Sequence, residues 1–280
     1  MEKIKFGVVG CGRIGTRHAE HIYNNNRAEL VAVCDIIKER ANNLSKKYGA
    51  KAMYDFEDML KQDIDIINVC TPSGLHAEMS VKSLNNNKHV LCEKPMTLNL
   101  HDADKIVEAE KQSHKKFFLV KQNRYNPPIK VLKEMVYNNK LGKISIINCN
   151  VLWTRNEDYY KSDSWKGTMN LDGGPLMTQC SHFLDLMIWI GGKVKSVYSK
   201  MANINHPYIE TEDTGFIILT FENGCVGSLQ YTTCAHNKNM EGSMTVIGSK
   251  GNIKIGGEYI NTLDYWDVEG IEKPELEKGS

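Results

Sequence analysis

At 280 residues, 41% hydrophobic and 25% charged, the chain is long enough for one large or two ordinary domains with proper cores. The formal net charge is +1 and lysine and arginine are scattered, so there is no electrostatic footprint for nucleic acid or an anionic membrane, and a small molecule is the expected partner. No apolar run approaches the roughly 20 residues of a membrane span, and MEKIKFGVVG enters a strand without a signal-peptide layout, so a cytoplasmic location is expected.

In chain order, IKFGVV, ELVAVC, DIINVC, KHVLC and FFLV read as strands buried on both faces, because their apolar runs are continuous rather than alternating. Amphipathic segments such as TRHAEHIYNNN, IKERANNLSKKYG, GLHAEMSVKSLNNN and LHDADKIVEAEKQS lie between them, and that alternation argues for a parallel, doubly wound sheet. The rhythm changes near Gln122. A helix over 128–139, the strand KISIINCNVLW, a long loop and a helix over 175–190 precede the longer strands VKSVYSKMA, DTGFIILTF, CVGSLQYTT, SMTVIGS and GNIKI. Turn signals such as ENG and GSKGN punctuate these, so residues 123–280 are expected to form an α+β domain around a largely antiparallel open sheet with helices on one face, after a nucleotide-binding domain over 1–122. The eight cysteines lie singly, mostly in apolar runs, with no metal-like spacing; they read as reduced core residues, and no metal is expected.

The strongest motif is GVVGCGRIG. Gly10-Cys11-Gly12-Arg13-Ile14-Gly15 matches G-x-G-x-x-G directly after a strand and at the opening of a helix, the context a dinucleotide fingerprint requires. The first glycine permits a tight turn, the second lets the backbone approach a pyrophosphate and the third lets helix pack on strand, while the helix N-terminus offers N–H groups to phosphate. Asp35, ending VAVCD, is placed to accept hydrogen bonds from an adenosine ribose and to repel a 2'-phosphate, which favours NAD over NADP; Lys38 is close enough to leave some NADP use open.

Ligands of open α/β sheets sit beyond the carboxyl ends of the strands. Lys94 follows KHVLC at such an end, and Cys70-Thr71-Pro72 holds the equivalent place after DIINVC. Pro95 restricts Lys94 towards extended backbone and aims its ammonium, which could hydrogen-bond a substrate hydroxyl and stabilise developing alkoxide character beside a nicotinamide. A surface lysine at a strand exit is the alternative. Glu93 either holds that lysine or is solvated.

In DGGPLMTQCSHFLDLMIWIGG, Pro175 suits a first helical turn and Gly191-Gly192 its end. Leu176, Met177, Cys180, Phe183, Leu184, Met187 and Ile188 cover one broad apolar side, and Thr178, His182 and Asp185 form a narrow polar line opposite. That line is either a solvent-facing stripe or the wall of a cleft. In the second case His182 is the side chain suited to take a hydroxyl proton near neutral pH.

Taken in order, GVVGCGRIG, CD, CTPSGLHAE, LCEKPMTLN and DGGPLMTQCSHFLDLMIW resemble the Gfo/Idh/MocA oxidoreductases, across nearly the whole chain. The resemblance implies a Rossmann domain, a second domain whose sheet commonly makes a homodimer or homotetramer interface, and a tightly held nicotinamide cofactor. It also implies Lys94 and His182 as the catalytic pair, with Thr71, Pro72, His76, Glu93 and Gln122 near the cofactor. One departure is that many members carry Asp four residues before the histidine, where this chain has Thr178, which leaves His182, or Lys94 with His182, as the base. The segments VKQNRYNPP and LWTRNEDYYKSDSWKGTMNLDGGPLMTQCSHFLD resemble the branch that oxidises C3 of UDP-N-acetylglucosamine or its uronic acid. Trp153, Tyr160 and Trp165 offer flat apolar faces there, and Arg124, Asn126, Arg155, Thr178 and Gln179 offer polar groups to a sugar or diphosphate, unless the loop merely closes the domain. An inositol or simple-sugar dehydrogenase, and a non-enzymatic regulator of the same fold, are the alternative readings. Family members commonly finish with a helix that returns to the nucleotide domain, whereas EYINTLDYWDVEGIEKPELEKGS is polar and turn-rich, so a trimmed sheet or a disordered tail is expected here.

Overall fold

A computed structural model describes residues 2–276. The chain divides into two compact units: the first runs to Val120 and takes in Asn170–Asp172, and the second comprises Lys121–Met169 and the chain from Gly173 onward.

The first unit alternates β1 (Ile4–Val9), α1 (Arg13–Tyr23), β2 (Ala28–Cys34), α2 (Lys38–Tyr48), β3 (Lys51–Met53), α3 (Phe56–Leu60), β4 (Ile66–Val69), α4 (His76–Asn85), β5 (His89–Cys92), α5 (Leu100–Ser113) and β6 (Phe117–Leu119). Every strand pairing is parallel, in the order β3-β2-β1-β4-β5-β6, so the winding reverses between β1 and β4. The apolar runs are continuous because both faces are covered. Val8 and Val33 pack with Ala19 and Ile22 of α1 and Ala41 and Leu44 of α2. Val9, Ile67, Val69 and Val90 pack on the other side with Ala77 and Leu84 of α4 and Ile106 of α5. β3 and α3 are additions to the elements expected from sequence: three residues are too few to establish a period, and β3 exists through its pairing with Ala32–Cys34.

The second unit holds α6 (Pro127–Tyr137), β7 (Ile144–Leu152), α7 (Glu157–Lys161), α8 (Pro175–Thr178), α9 (Ser181–Gly191), β8 (Val194–Ala202), β9 (Thr214–Phe221), β10 (Val226–Thr232), β11 (Glu241–Gly248), β12 (Gly251–Gly256) and β13 (Thr262–Val268). Its sheet runs β13-β12-β11-β7-β10-β9-β8, antiparallel except for β7 with β10. Alternation is clean in β9, where Ile217, Leu219 and Phe221 enter the core while Phe216 and Ile218 are exposed. The inner face packs with Ile129 and Leu132 of α6 and Phe183, Leu186 and Met187 of α9. The polar C-terminal segment supplies β13, whose Trp266 indole N–H donates to the Ile271 carbonyl.

The helix expected over 175–190 is two helices. Both Gln179 N–H (2.8 Å) and Cys180 N–H (2.9 Å) donate to the Pro175 carbonyl, a wide turn that ends α8, and the Cys180 carbonyl then accepts from Phe183 and Leu184 to start α9. The extra residue in the turn re-phases the faces. Phe183, Leu186, Met187 and Ile190 form the buried stripe, Ile188 is 48% exposed rather than buried, and His182 is 6% exposed rather than on a solvated line.

Candidate active site

The nucleotide-facing end of the first unit is built from backbone. Gly10 has φ +89°, and a Cβ there would stand 2.5 Å from the Cys70 carbonyl oxygen; at Gly15 it would stand 1.8 Å from the Gly10 oxygen. These two glycines let β1, β4 and α1 touch main chain to main chain. Beside Gly12, by contrast, a Cβ would meet nothing within 4 Å. Gly12 caps α1 without a side-chain hydrogen bond, and Thr16 N–H is the first to bond within the helix, to the Gly12 oxygen at 2.9 Å. The amides of Arg13, Ile14 and Gly15 are therefore left to an external acceptor beside open space. The Thr71 hydroxyl is buried with no hydrogen-bond partner among the described residues. An open cradle, unspent helix amides and an orphaned hydroxyl at a strand end fit a dinucleotide.

Asp35 is buried and does more than end a strand. Its Oδ2 accepts from Cys11 N–H (2.8 Å) and its Oδ1 from Ile37 N–H (2.8 Å), so the carboxylate fixes the glycine turn against the loop after β2. Each oxygen keeps a lone pair that a ribose hydroxyl can use. The Lys38 ammonium lies over the Tyr54 ring.

His76 is 1% exposed. Its Nδ1 lies 2.7 Å from the Pro95 carbonyl and its Nε2 2.9 Å from the Thr71 carbonyl, so the ring links the two strand-end segments that carry Thr71-Pro72 and Lys94-Pro95. Burial pushes its pKa below the usual imidazole value, although both carbonyls pull the other way. Gly74 is pressed against Asn170, where a Cβ would stand 2.0 Å from the carbonyl oxygen, and Gly74 N–H donates to the Leu171 oxygen at 3.0 Å.

Glu93 is not solvated. It is 7% exposed; Oε1 lies 2.9 Å from His18 Nε2 and Oε2 accepts from the Lys94 backbone N–H at 3.1 Å. On the other side of the imidazole, Asn68 Nδ2 lies 3.1 Å from His18 Nδ1. Burial raises the Glu93 pKa, but the His18 hydrogen bond, with the electrostatic pull of His18 and Lys94, outweighs it and holds the group below the usual carboxylate value. Sequence reasoning missed His18 and Asn68. The one available signal was an asparagine inside the otherwise apolar IINVC.

In the second unit, Gln122 Nε2 lies 3.2 Å from His182 Nε2. Arg124 donates from Nε and Nη2 to the two oxygens of Asp185, both at 2.7 Å, and its guanidinium stacks on Trp189. Two members of the expected polar line are thus tied to the 3₁₀ turn Gln122–Tyr125, and the Arg124 fork is engaged by Asp185. The Thr178 hydroxyl donates to the Gly174 carbonyl (2.9 Å), and Asn126 donates to the carbonyls of Tyr259 and Ile260. Lys121 Nζ lies 3.4 Å from the Ser181 oxygen; burial lowers its pKa, Asp185 opposes this and Arg124 adds to it.

The aromatic residues differ from expectation. Trp153 and Tyr160 are each 6% exposed. Trp153 packs edge-on to Phe183 and against Tyr259, and Tyr160 packs against Tyr159, His206 and Tyr208, so their rings are core rather than open platforms. Trp165 is half-buried. Arg155 and Gln179 come together: Nη2 donates to Oε1 at 2.7 Å, beneath a guanidinium that lies over the Trp153 and Tyr159 rings. The fold also gathers His206, Asp213 and Cys234. The Asp213 carboxylate there accepts from the backbone N–H groups of Ile204, Asn205 and His206; burial raises its pKa, but hydrogen bonds from the Asn205 and Ile204 N–H groups and the Thr214 and Cys234 side chains outweigh it and hold the group below the usual carboxylate value.

A doubly wound parallel sheet with a glycine cradle, an acidic residue after β2 and a lysine after β5 defines an NAD-binding oxidoreductase. Residues 4–121 match the model of the oxidoreductase family with an NAD-binding Rossmann fold, and residues 129–254 match the GFO/IDH/MocA C-terminal domain. The chain belongs to the Gfo/Idh/MocA oxidoreductases, NAD-dependent enzymes acting on CH-OH groups. The WlbA dehydrogenase of Chromobacterium violaceum, solved with NADH and UDP-GlcNAcA, is 38% identical at a TM-score of 0.95, covering 97% of this chain and 79% of that one. That of Bordetella pertussis, with the same ligands, is 37% identical at a TM-score of 0.94, covering 98% and 79%. The myo-inositol 2-dehydrogenase of Thermotoga maritima is 29% identical over 276 residues, 95% of this chain and 79% of the relative. Among the described residues, no helix is long and apolar enough to cross a membrane.

His76 generates a stability test. Its folded pKa lies below the ordinary value of 6.5, so as pH falls through 6.5 the unfolded chain takes a proton that the folded one refuses, and stability is lost until the folded value is reached. The melting temperature of the first unit should fall between about pH 7 and about pH 5, and the slope should be shallower in His76→Gln. Equal slopes by calorimetry would mean that this ring does not contribute.

Proposed function

We propose that the protein oxidises the C3 hydroxyl of a UDP-N-acetylglucosamine-type nucleotide sugar, most closely the uronic acid, to a 3-keto sugar. The observation that carries this reading is the pair of solved relatives at 37–38% identity, both bound to UDP-GlcNAcA and both matched over 97–98% of this chain. When bound, NAD supplies the hydride acceptor. Lys94 hydrogen-bonds the reacting oxygen and stabilises the negative charge that develops on it. His182 takes the hydroxyl proton. Gln122 donating to His182 Nε2 holds the ring in the tautomer with its proton on Nδ1, and the substrate hydroxyl takes the place of the Gln122 amide at the Nε2 lone pair when the base acts. Thr178, whose hydroxyl donates to the Gly174 carbonyl, supplies no carboxylate at the position four residues before His182. Arg155, braced by Gln179, and Lys121 are cationic groups of the second unit suited to a carboxylate or diphosphate. Thr71, Pro72, Glu93 and the turn Gly10–Gly15 serve the cofactor. A second reading, oxidation of a free polyol, has the Thermotoga maritima inositol dehydrogenase in its favour.

Two or four copies are proposed to associate through the outer face of the second unit's sheet. Tyr198, Phe216, Ile218, Val226 and Ile146 lie on that one face, 42–69% exposed, in adjoining registers. So much exposed apolar surface on a helix-free face is what a subunit contact would bury.

With NAD and UDP-N-acetylglucosaminuronic acid, the absorbance of reduced nicotinamide should rise, and Lys94→Ala and His182→Ala should each lower kcat by about 10²–10⁴-fold while NAD remains bound. Activity surviving in both variants would remove these roles, and turnover or a melting shift with myo-inositol but not with the nucleotide sugar would select the second reading. Sedimentation should give a mass above one chain that falls to a single chain in the double variant Phe216→Glu, Ile218→Glu; a wild-type monomer would refute the association.

A further inference from the structure

We propose that His18 is a positioning residue for Lys94, acting through Glu93 and fixed in its own tautomer by Asn68. This rests on Lys94 being the amine that handles the substrate oxygen. The four groups form one chain of contacts inside the first unit. Asn68 Nδ2 lies 3.1 Å from His18 Nδ1, His18 Nε2 lies 2.9 Å from Glu93 Oε1, and Glu93 Oε2 accepts the Lys94 backbone N–H at 3.1 Å. An amide N–H₂ can only donate, so His18 Nδ1 is the acceptor and the ring proton sits on Nε2, facing Glu93.

Burial makes the arrangement consequential. Glu93 is 7% exposed and Asn68 1% exposed, so a carboxylate that lost its imidazole donor would stand in a dry site with one backbone N–H to hold it. Such a carboxylate would take up a proton, and the negative charge next to Lys94 would go. The other groups of the neighbourhood do not replace it. Burial drives His76 towards its neutral form, and burial likewise raises the thiols of Cys70 and Cys92, the latter to about 12. His18 therefore sets both the direction and the charge of Glu93, and through them the backbone at the exit of β5 and the negative charge that acts on Lys94. The placement also joins the two ends of the cofactor site. His18 belongs to α1, which begins at the glycine turn, and Asn68 to β4, whose end leads into Thr71-Pro72.

The test compares His18→Ala with His18→Gln, whose carboxamide can donate to Glu93 and accept from Asn68 at once. Two readouts are used: steady-state kinetics with NAD and UDP-N-acetylglucosaminuronic acid, and the pH-dependence of acetic anhydride acylation at Lys94, followed by mass spectrometry of the full chain. His18→Ala should lower kcat at least about 10-fold with the KM for NAD within about 3-fold. It should also move the acylation midpoint of Lys94 to lower pH, because the ammonium has lost its anionic neighbour, and His18→Gln should restore both. If His18→Ala does not fold, Glu93→Gln keeps the shape and removes the charge, and should give the same acylation shift. Wild-type kcat and acylation in His18→Ala, or a kcat loss with unchanged acylation that Gln does not rescue, would overturn the inference. If Lys94→Ala stays fully active, the catalytic reading itself fails, an outcome that the acylation result does not share.

Discussion

The first unit depends on a contact that only a glycine permits. Gly10, in left-handed backbone, lies with its α-carbon against the Cys70 carbonyl, and Gly15 lies against the Gly10 carbonyl, each too close for a Cβ. The ends of β1 and β4 and the start of α1 are thereby locked main chain to main chain at the place where the strand order reverses. Gly10 N–H donates to the Cys34 carbonyl (2.8 Å) and Asp35 holds Cys11, so the end of β2 joins the same knot. What remains open is the space beside Gly12 and the first amides of α1. Close packing on either side thus leaves the backbone at Gly12 open to the approach of a pyrophosphate.

Around that knot most of the buried polar groups the site uses have partners, the Thr71 hydroxyl and Asn68 Oδ1 being exceptions. His76 stands between two strand-end carbonyls and as a neutral ring donates to one of them, Asp35 accepts two backbone N–H groups, and the chain from Asn68 to Lys94 crosses from β4 to β5 through α1. Each would be costly if one partner were lost, since an unsatisfied buried polar group costs about 1–3 kcal/mol, more when charged. Such networks hold side chains in one arrangement, which a group that must meet a reacting atom within a fraction of an ångström requires. In the second unit the same economy ties Asp185 to Arg124 and His182 to Gln122.

Much of this was legible in the sequence, for physical reasons that differ by element. The parallel sheet was readable because strands buried on both faces carry uninterrupted apolar runs, and the second sheet because one face alternates with the other. The glycine cradle was readable because backbone close approach demands glycine at fixed spacing. What failed was what depends on long-range or sub-periodic geometry. The break between α8 and α9 comes from two amides converging on the Pro175 carbonyl, which leaves no trace in hydrophobic period; it exposes Ile188, expected on the apolar side, and takes His182 off the solvent-facing stripe that was one of its two readings. His18 and Glu93 meet across 75 positions and Arg124 and Asp185 across 61, separations at which local pattern carries no information. Trp153 and Tyr160 read as sugar platforms because aromatic rings in a long loop fit that role, yet the folded second unit draws both into its core.

The claim on which the account turns is that the space beside Gly12 belongs to the cofactor and not to the fold. Titration calorimetry of NAD into the wild-type protein and Gly12→Val, alongside their melting curves, examines it directly. A side chain at Gly12 meets no protein atom within 4 Å of its Cβ, so the account predicts a melting temperature close to wild type together with loss of measurable NAD binding. Undiminished NAD affinity in Gly12→Val would contradict it.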